Sequence, residues 1–327
     1  MQKFLDLLKE NKIVLAPMAG VTNQAYRLMA KKYGVGIVYS EMISDKGIFY
    51  KDKKTFDLAK VSTFEHPIGI QIFGGDIDTL VLAAKYVDKE TNADFIDINM
   101  GCPVPKVLKA KAGSDYLKNP ERIYKTVSEI VKNVSKPVTV KVRIGYDHNT
   151  INIFEVVDKI IAAGASAIAI HGRCKVDMYS NIVHYDLIKQ VKEMHPDFPI
   201  IANGDIDSPI KAKEILEYTK ADAIMVGRAT YGNFYIIKQM NEYINNGILL
   251  QDLNIMDKLN DLLEYTKMLI ELKGEEVAIR ELRGQAGWFV KGIKDGAYYR
   301  NILSKINTYQ ELLDITEKIK KENQSNN

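Results

Sequence analysis

The sequence predicts an α/β fold, a (β/α)8 TIM barrel followed by an all-helical segment, and three observations carry that prediction. Short β-branched runs recur eight times with helix-like stretches between them, which is the pattern of βαβ units. Several of these runs are continuously apolar, as parallel strands covered by helices must be. Beyond Tyr243 the runs stop and apolar residues take up helical spacing instead.

The runs fall at residues 13–16, 37–40, 68–72, 95–98, 138–142, 167–170, 200–202 and 223–226. Between them, Asn119-Pro120 and Ser208-Pro209 each put a capping side chain before a proline suited to the first helical position. The first strand-to-helix link, Pro17-Met18-Ala19-Gly20-Val21-Thr22, lacks the Gly-x-Gly-x-x-Gly of a dinucleotide fold, which favours the barrel over a doubly wound sheet. Past residue 243, Ile255, Leu259, Leu262, Leu263, Thr266, Leu269 and Ile270 share one helical face. A second helix is expected over 276–290. A third opens with the capping-box pattern Thr308-Tyr309-Gln310-Glu311 and turns Leu312, Ile315 and Ile319 to one side. Residues 320–327 are too polar to pack and are expected to be disordered. The chain thus divides into a barrel, 1–243, and a helical domain, 244–327.

Composition narrows the class. With 46% apolar and 27% charged residues the chain reads as an ordinary globular protein. No apolar run approaches the ~18–20 residues of a membrane span. Asp6 and Glu10 fall where a signal peptide would carry its apolar centre. Cys102 and Cys174 give no disulfide framework and no Cys-x-x-Cys metal pair, so a reduced, cytoplasmic, metal-free protein is expected. A net charge of +3 is too small to diagnose a nucleic-acid binder.

In a parallel barrel every strand's C-terminal end lies on one face. That face would collect Pro17-Met18-Ala19, Glu41, Gln71, Asn99 with Cys102, Lys141 with Arg143, His171 with Arg173, Asn203-Gly204-Asp205 and Gly227-Arg228. Each alone could merely cap the core, but a ring of polar groups points to a ligand. The two glycine turns follow strands seven and eight, where barrels bind phosphate, and Arg228 could add charge-assisted bonds. Lys141 is placed to stabilise negative charge on a reduced cofactor ring. His171 either bonds a cofactor or satisfies the core.

Cys102 lies in Asn99-Met100-Gly101-Cys102-Pro103, a Gly/Pro turn just past a strand. A thiol keeps its proton near neutral pH and can act as a general acid, a role worth ~10²–10⁴ in rate. Nucleophilic chemistry needs a close base, and no His is near in sequence; one of the five histidines could still be brought in by the fold, but the acid role is the better fit. Together these residues describe a flavin mononucleotide pocket with an acid beside it.

From Ile13 to about Val290 the chain resembles the bacterial tRNA-dihydrouridine synthases. The resemblance rests on Leu15-Ala16-Pro17-Met18-Ala19-Gly20-Val21-Thr22, Gln71-Ile72-Phe73-Gly74, Asn99-Met100-Gly101-Cys102-Pro103 with Lys106, Lys141-Val142-Arg143, His171-Gly172-Arg173, Asn203-Gly204-Asp205-Ile206 and Gly227-Arg228-Ala229. It implies an FMN-bearing barrel, reduced by NADPH, with a C-terminal helical RNA-binding domain. A hydride passes from flavin N5 to uridine C6 and the cysteine protonates C5. Pro17, Met18, Ala19, Gln71, Lys141, His171, Asn203, Gly204, Asp205, Gly227 and Arg228 would hold FMN, and Cys102 would be the proton donor. Asn99, Lys106, Arg143, Arg173, Arg280 and Arg283 would face the substrate. The partner implied is tRNA or another structured RNA, met by a monomer, with the target base leaving its stack.

The chain departs from the family pattern at Gly113-Ser114-Asp115-Tyr116-Leu117, at Asn181, where glycine is more usual, and at Arg283-Gly284-Gln285, where Arg-Lys-His is common. Arg280, Arg283, Lys291, Lys294, Arg300 and Lys305, interleaved with Trp288, Tyr298 and Tyr299, suit an RNA contact, as do Lys106, Lys109 and Lys111 beside Cys102. A solvated helix face over a buried Trp288 would give the same pattern. Two rival readings stand beside this one. One is a small-molecule FMN oxidoreductase of the dihydroorotate dehydrogenase type, and the other is a non-catalytic RNA-binding barrel.

Overall fold

The computed structural model describes residues 2–180 and 182–324. Its strands are β1 (Ile13–Leu15), β2 (Val38–Tyr39), β3 (Ile43–Ser44), β4 (Ile68–Phe73), β5 (Phe95–Met100), β6 (Val138–Gly145), β7 (Ala167–Cys174), β8 (Ile200–Asn203) and β9 (Ala223–Val226). They pair in the order β1-β9-β8-β7-β6-β5-β4-β2, all parallel. The two ends of that series then meet. Val14 bridges Ile37, the Leu15 N–H donates to Ile37 O (2.9 Å) and the Gly36 N–H to Ile13 O (2.9 Å). A doubly wound sheet would leave two open edges, whereas this one closes into the (β/α)8 barrel.

Every predicted strand forms, and the second is followed by a short strand, β3, beyond the predicted run 37–40. Both β2 and β3 pair with β4, and between them the Ser40 hydroxyl accepts the Gln71 N–H (3.0 Å). A side-chain oxygen thus bridges the gap in the ladder.

Period-two alternation sorts each strand's residues to two faces. Val14, Ala16, Tyr39, Phe95, Ala167, Ala169, Ile201, Ala223 and Met225 form one buried core inside the barrel. Ile13, Leu15, Ile96, Ile98, Val140, Ile168 and Ile170 join the core between strands and helices. The Phe95 ring occupies the space a side chain at Gly69 would need, since a Cβ there would lie 2.1 Å from it. Helix α1 (Gln2–Glu10), which the sequence reading did not anticipate, completes the interior core with Phe4 edge-on to Phe95 at 5.1 Å and a fully buried Leu8. Farther along the same inward alternation come Asp97 and Asn99, Thr139 and Lys141, and His171. The barrel is therefore apolar at its base and polar towards its mouth.

The barrel helices are α2 (Gln24–Lys32), α3 (Asp45–Phe49), α4 (Lys53–Leu58), α5 (Ile77–Glu90), α6 (Pro105–Lys109), α7 (Pro120–Asn133), α8 (Ile153–Ala162), α9 (Tyr185–Met194), α10 (Pro209–Thr219) and α11 (Ile236–Asn246). The two expected caps form: Asn119 accepts the Arg122 N–H (3.1 Å) and Ser208 the Lys211 N–H (3.3 Å). Position 243 falls within α11.

Helices α12 (Ile255–Lys273), α13 (Glu275–Leu282), α14 (Ala286–Phe289), α15 (Gly296–Leu303) and α16 (Tyr309–Gln324) follow. The expected helix over 276–290 is broken into α13 and α14. At the break, Gln285 Nε2 donates to Gly20 O (3.0 Å) and its Oε1 accepts from the Tyr265 hydroxyl (2.7 Å). The amide bridges α12 to the loop after β1, a contact that no local pattern encodes. Tyr26 meets Phe234 at 4.6 Å and Tyr265 at 5.9 Å, so barrel and appended helices share apolar packing. Residues 320–324, expected to be disordered, continue α16, because Ile319 is buried and Asn323 Nδ2 bonds back to its carbonyl (2.8 Å). Residues 325–327 and Asn181 lie outside the described residues. Among the described residues no helix is long and apolar enough to cross a membrane.

Candidate active site

A cavity of about 860 Å³ opens at the C-terminal mouth of the barrel. Pro17, Met18, Ala19, Gln71, Asn99, Cys102, Lys141, Arg143, His171, Asn203, Gly204, Asp205, Gly227 and Arg228 all line it. Alternation turns Gln71, Asn99, Lys141, Arg143, His171 and Asn203 inward along their strands, and the loops that leave the strand ends bring the rest.

Cys102 is half-buried on the loop leaving β5. Its carbonyl accepts the Ser114 N–H (3.0 Å), and a Cβ at Gly113 (φ +60) would lie 2.6 Å from that oxygen. Gly113 and Ser114, which open the segment that departs from the family pattern, are thus packed directly on the cysteine loop. Asn99 Oδ1 accepts the N–H groups of Gly101 (3.2 Å) and Cys102 (2.9 Å), fixing the turn from below. Burial pushes the thiol pKa up, opposed by the Val104 N–H and by the charges of Arg143 and Lys141. The group is a protonated thiol at neutral pH.

Lys141 donates to Asn203 Oδ1 (3.0 Å), and Asn203 Nδ2 donates to Met225 O (2.8 Å). Burial and the neighbouring Arg143 bring the Lys141 pKa down to about 8. His171 is buried and its Nε2 has no hydrogen-bond partner. Burial, then the charges of Lys141, Arg143, Arg173 and Arg228, hold it well below the usual imidazole range and therefore neutral.

Arg173 and Arg228 both donate to Asp205, whose carboxyl they hold below its ordinary range. Arg228 is half-exposed, and its guanidinium lies 4.8 Å from the Tyr179 ring centroid. A Cβ at Gly204 (φ +133) would meet Val183 at 2.7 Å and His171 at 3.1 Å, so only glycine leaves that wall open. With Lys141, Arg143, Arg228, Lys258 and Lys291 against Asp205 and Asp207, the cavity carries excess positive charge.

Of the other expected substrate residues only Arg143 lines the cavity. Arg143 is buried and braces the site, donating to Gly101 O (3.1 Å) and Cys174 O (2.9 Å). Arg173 is buried behind Asp205. Lys106 is exposed on α6. Arg280 pairs with Glu276 on α13, and Arg283 bonds Ile306 O (2.7 Å) and Asn307 (2.6 Å). These last three do not line the cavity.

The sequence reading missed Met42, Tyr179, Tyr231 and Lys258 on the cavity wall. Trp288 stacks on Tyr231 with centroids 4.0 Å apart and planes 7° from parallel, half-buried at the seam between barrel and helices. It also missed Asp97, fully buried two residues before Asn99; a charge at an inward position of a strand was the available signal. Among the described residues, His148, Cys174 and Asp177 also meet near the end of β7. There Asp177 already bonds His148 (2.9 Å) and the Cys174 N–H (2.9 Å), and burial pushes the Cys174 thiol up to about 11.

The sequence model of the family described as "Dihydrouridine synthase (Dus)" matches residues 14–324. The chain is 38% identical over 309 residues to "tRNA-dihydrouridine synthase B" of Vibrio vulnificus, covering 94% of this chain and 95% of that protein. It is 37% identical over 306 residues to the protein of that name from Pasteurella multocida, covering 93% and 91% of the two chains. The Pseudomonas aeruginosa protein of that name is 34% identical over 290 residues, 89% of this chain and 87% of its own. Matched from β1 to the last helix around a barrel mouth that carries its cysteine loop and both glycine turns, this chain belongs to the dihydrouridine synthase family.

Proposed function

We propose that this protein reduces uridine to 5,6-dihydrouridine in tRNA, with bound FMN and with NADPH as reductant. The observation that carries the reading is the Cys102 thiol on the wall of the same cationic cavity as the two glycine turns. Residues 1–243 form the catalytic part and 244–327 the RNA-binding part, in a cytoplasmic monomer.

The residues present fit the flavin. A buried imidazole nitrogen without a partner lines a cavity of about 860 Å³, and Gly204 keeps the wall beside it clear. Pro17, Met18, Ala19, Gln71, Lys141, His171, Asn203, Gly204, Asp205, Gly227 and Arg228 hold the cofactor in this reading. When bound and reduced, FMN supplies the hydride that goes to C6 of the uracil ring.

The chain's own part is proton delivery and placement. Cys102 gives its proton to C5. The Val104 N–H and the charges of Arg143 and Lys141, which oppose the thiol's burial, stabilise the thiolate left behind. Asn99 orients that loop, and Arg143 and Arg173 brace the walls. The base enters unstacked, past Tyr179 and the Tyr231–Trp288 stack, while Lys106, Arg280 and Arg283 with the mouth lysines meet the backbone.

Cys102→Ala is expected to keep the parental flavin content while dihydrouridine formation drops ~10²–10⁴-fold. Reduction at the parental rate would show that the acid is another group. Mapping dihydrouridine in total RNA with and without the protein distinguishes tRNA from other structured RNA.

A further inference from the structure

Asp97 is fully buried inside the barrel, and the chemistry above makes no use of it. Its two oxygens are both engaged: Thr139 Oγ1 donates to Oδ1 (2.6 Å) and Gln71 Nε2 to Oδ2 (2.6 Å). Gln71 Oε1 in turn accepts from Asn99 Nδ2 (2.8 Å). Asn99 Oδ1 then accepts the Gly101 and Cys102 N–H groups. One continuous chain of hydrogen bonds runs from the barrel interior to the backbone of the cysteine.

An amide side chain has a donor end and an acceptor end, and either orientation fills the same space. Here both ends of the chain dictate the choice. The backbone N–H groups require an acceptor from Asn99, and a carboxylate oxygen requires a donor from Gln71. If the Gln71 amide were reversed, its oxygen would face Asp97 Oδ2 and its nitrogen would face Asn99 Nδ2. Two hydrogen bonds would become two repulsions. A proton on Asp97 would sit towards the Thr139 hydroxyl, which can accept it, and Oδ2 would face Gln71 as before. A buried acid is costly where an apolar residue would fill the space, and polarity is what an apolar residue cannot supply.

We propose that Asp97 is a positioning residue for Cys102, setting the orientation of the Gln71 and Asn99 amides and through them the cysteine turn; its catalytic meaning rests on Cys102 being the proton donor. The Asn99 end of this chain lies on the cavity wall, so the same polarity decides which amide atom the site presents to a ligand there.

The test is amide hydrogen exchange in the purified full-length protein at pH 8. In Asp97→Leu, the Gly101 and Cys102 amides are expected to exchange at least tenfold faster, while the Ile168 amide, bonded to Pro199 O (3.0 Å) on the other side of the barrel, keeps its rate. Asp97→Asn is expected to restore protection, because its oxygen can accept from Gln71 while its NH₂ donates to the Thr139 hydroxyl. Wild-type exchange at both amides in Asp97→Leu overturns the proposal, as do equal losses in the Leu and Asn variants. Should Asp97→Leu not fold, Gln71→Leu removes the middle of the chain and must expose the same two amides; protection retained there overturns the proposal too. The readout needs neither RNA nor flavin. Intact protection without dihydrouridine formation would count against the reductase reading and not against this one.

Discussion

Asp97 sets the residue-scale energetics of the site. Burial pushes its carboxyl pKa up to about 7, against the pull of Gln71, Thr139 and Lys141. The unfolded chain titrates this group near 3.9, so the folded state holds the proton more tightly. Its contribution to stability is therefore full below about pH 4 and is lost as pH rises through about 7. Asp97→Asn removes that dependence. The change in unfolding free energy between pH 5 and pH 8, measured by urea titration, should differ from the parent's by about 2–3 kcal/mol. An identical pH slope in parent and variant would refute the assignment. Asp97 stood in plain view beside Asn99, but nothing local says that its partners are Gln71 and Thr139, 26 and 42 residues away.

At the scale of elements, the seam between the barrel and α14 is a close approach of two backbones. Gly232 has φ +64, and a Cβ there would lie 2.4 Å from the Trp288 carbonyl carbon. Gly232→Ala must push α14 away and also strain the backbone. The expected loss is about 1–3 kcal/mol. The chain has one tryptophan, so the displacement of Trp288 from Tyr231 should appear directly as a change in its fluorescence maximum. An unchanged spectrum with unchanged stability would mean that the seam is loose. The strands and the proline-led helices were legible because their periods and caps are written within a few residues. The split of the expected 276–290 helix was not, because Gln285 leaves helical form to bond Gly20, 265 residues away.

Over the whole molecule, Lys258 of α12 and Lys291 after α14 reach the same cavity as the barrel's Cys102. The two parts of the chain therefore build one mouth. Cutting at residue 243 would sever α11 and remove the packing partners of Tyr26 and Phe234, so charge reversal is the cleaner probe of RNA binding. The double variant Lys258→Glu/Lys291→Glu should weaken tRNA binding at least tenfold and make it less salt-dependent, as loss of phosphate contacts does. Affinity and salt slope equal to the parent's would place the RNA path elsewhere.

By itself the sequence determined the barrel, its direction and the residues at its mouth. Strand alternation, strand polarity and turn chemistry are local, and in a parallel barrel they send every C-terminal end to one face. Only the tertiary structure decided how those residues are used. It set Arg173 behind Asp205, brought Trp288 onto Tyr231, and joined Asp97 to the cysteine loop through two amides. Those arrangements depend on hydrogen bonds and ring contacts between residues far apart in the chain, whose geometry exists only once the barrel has closed.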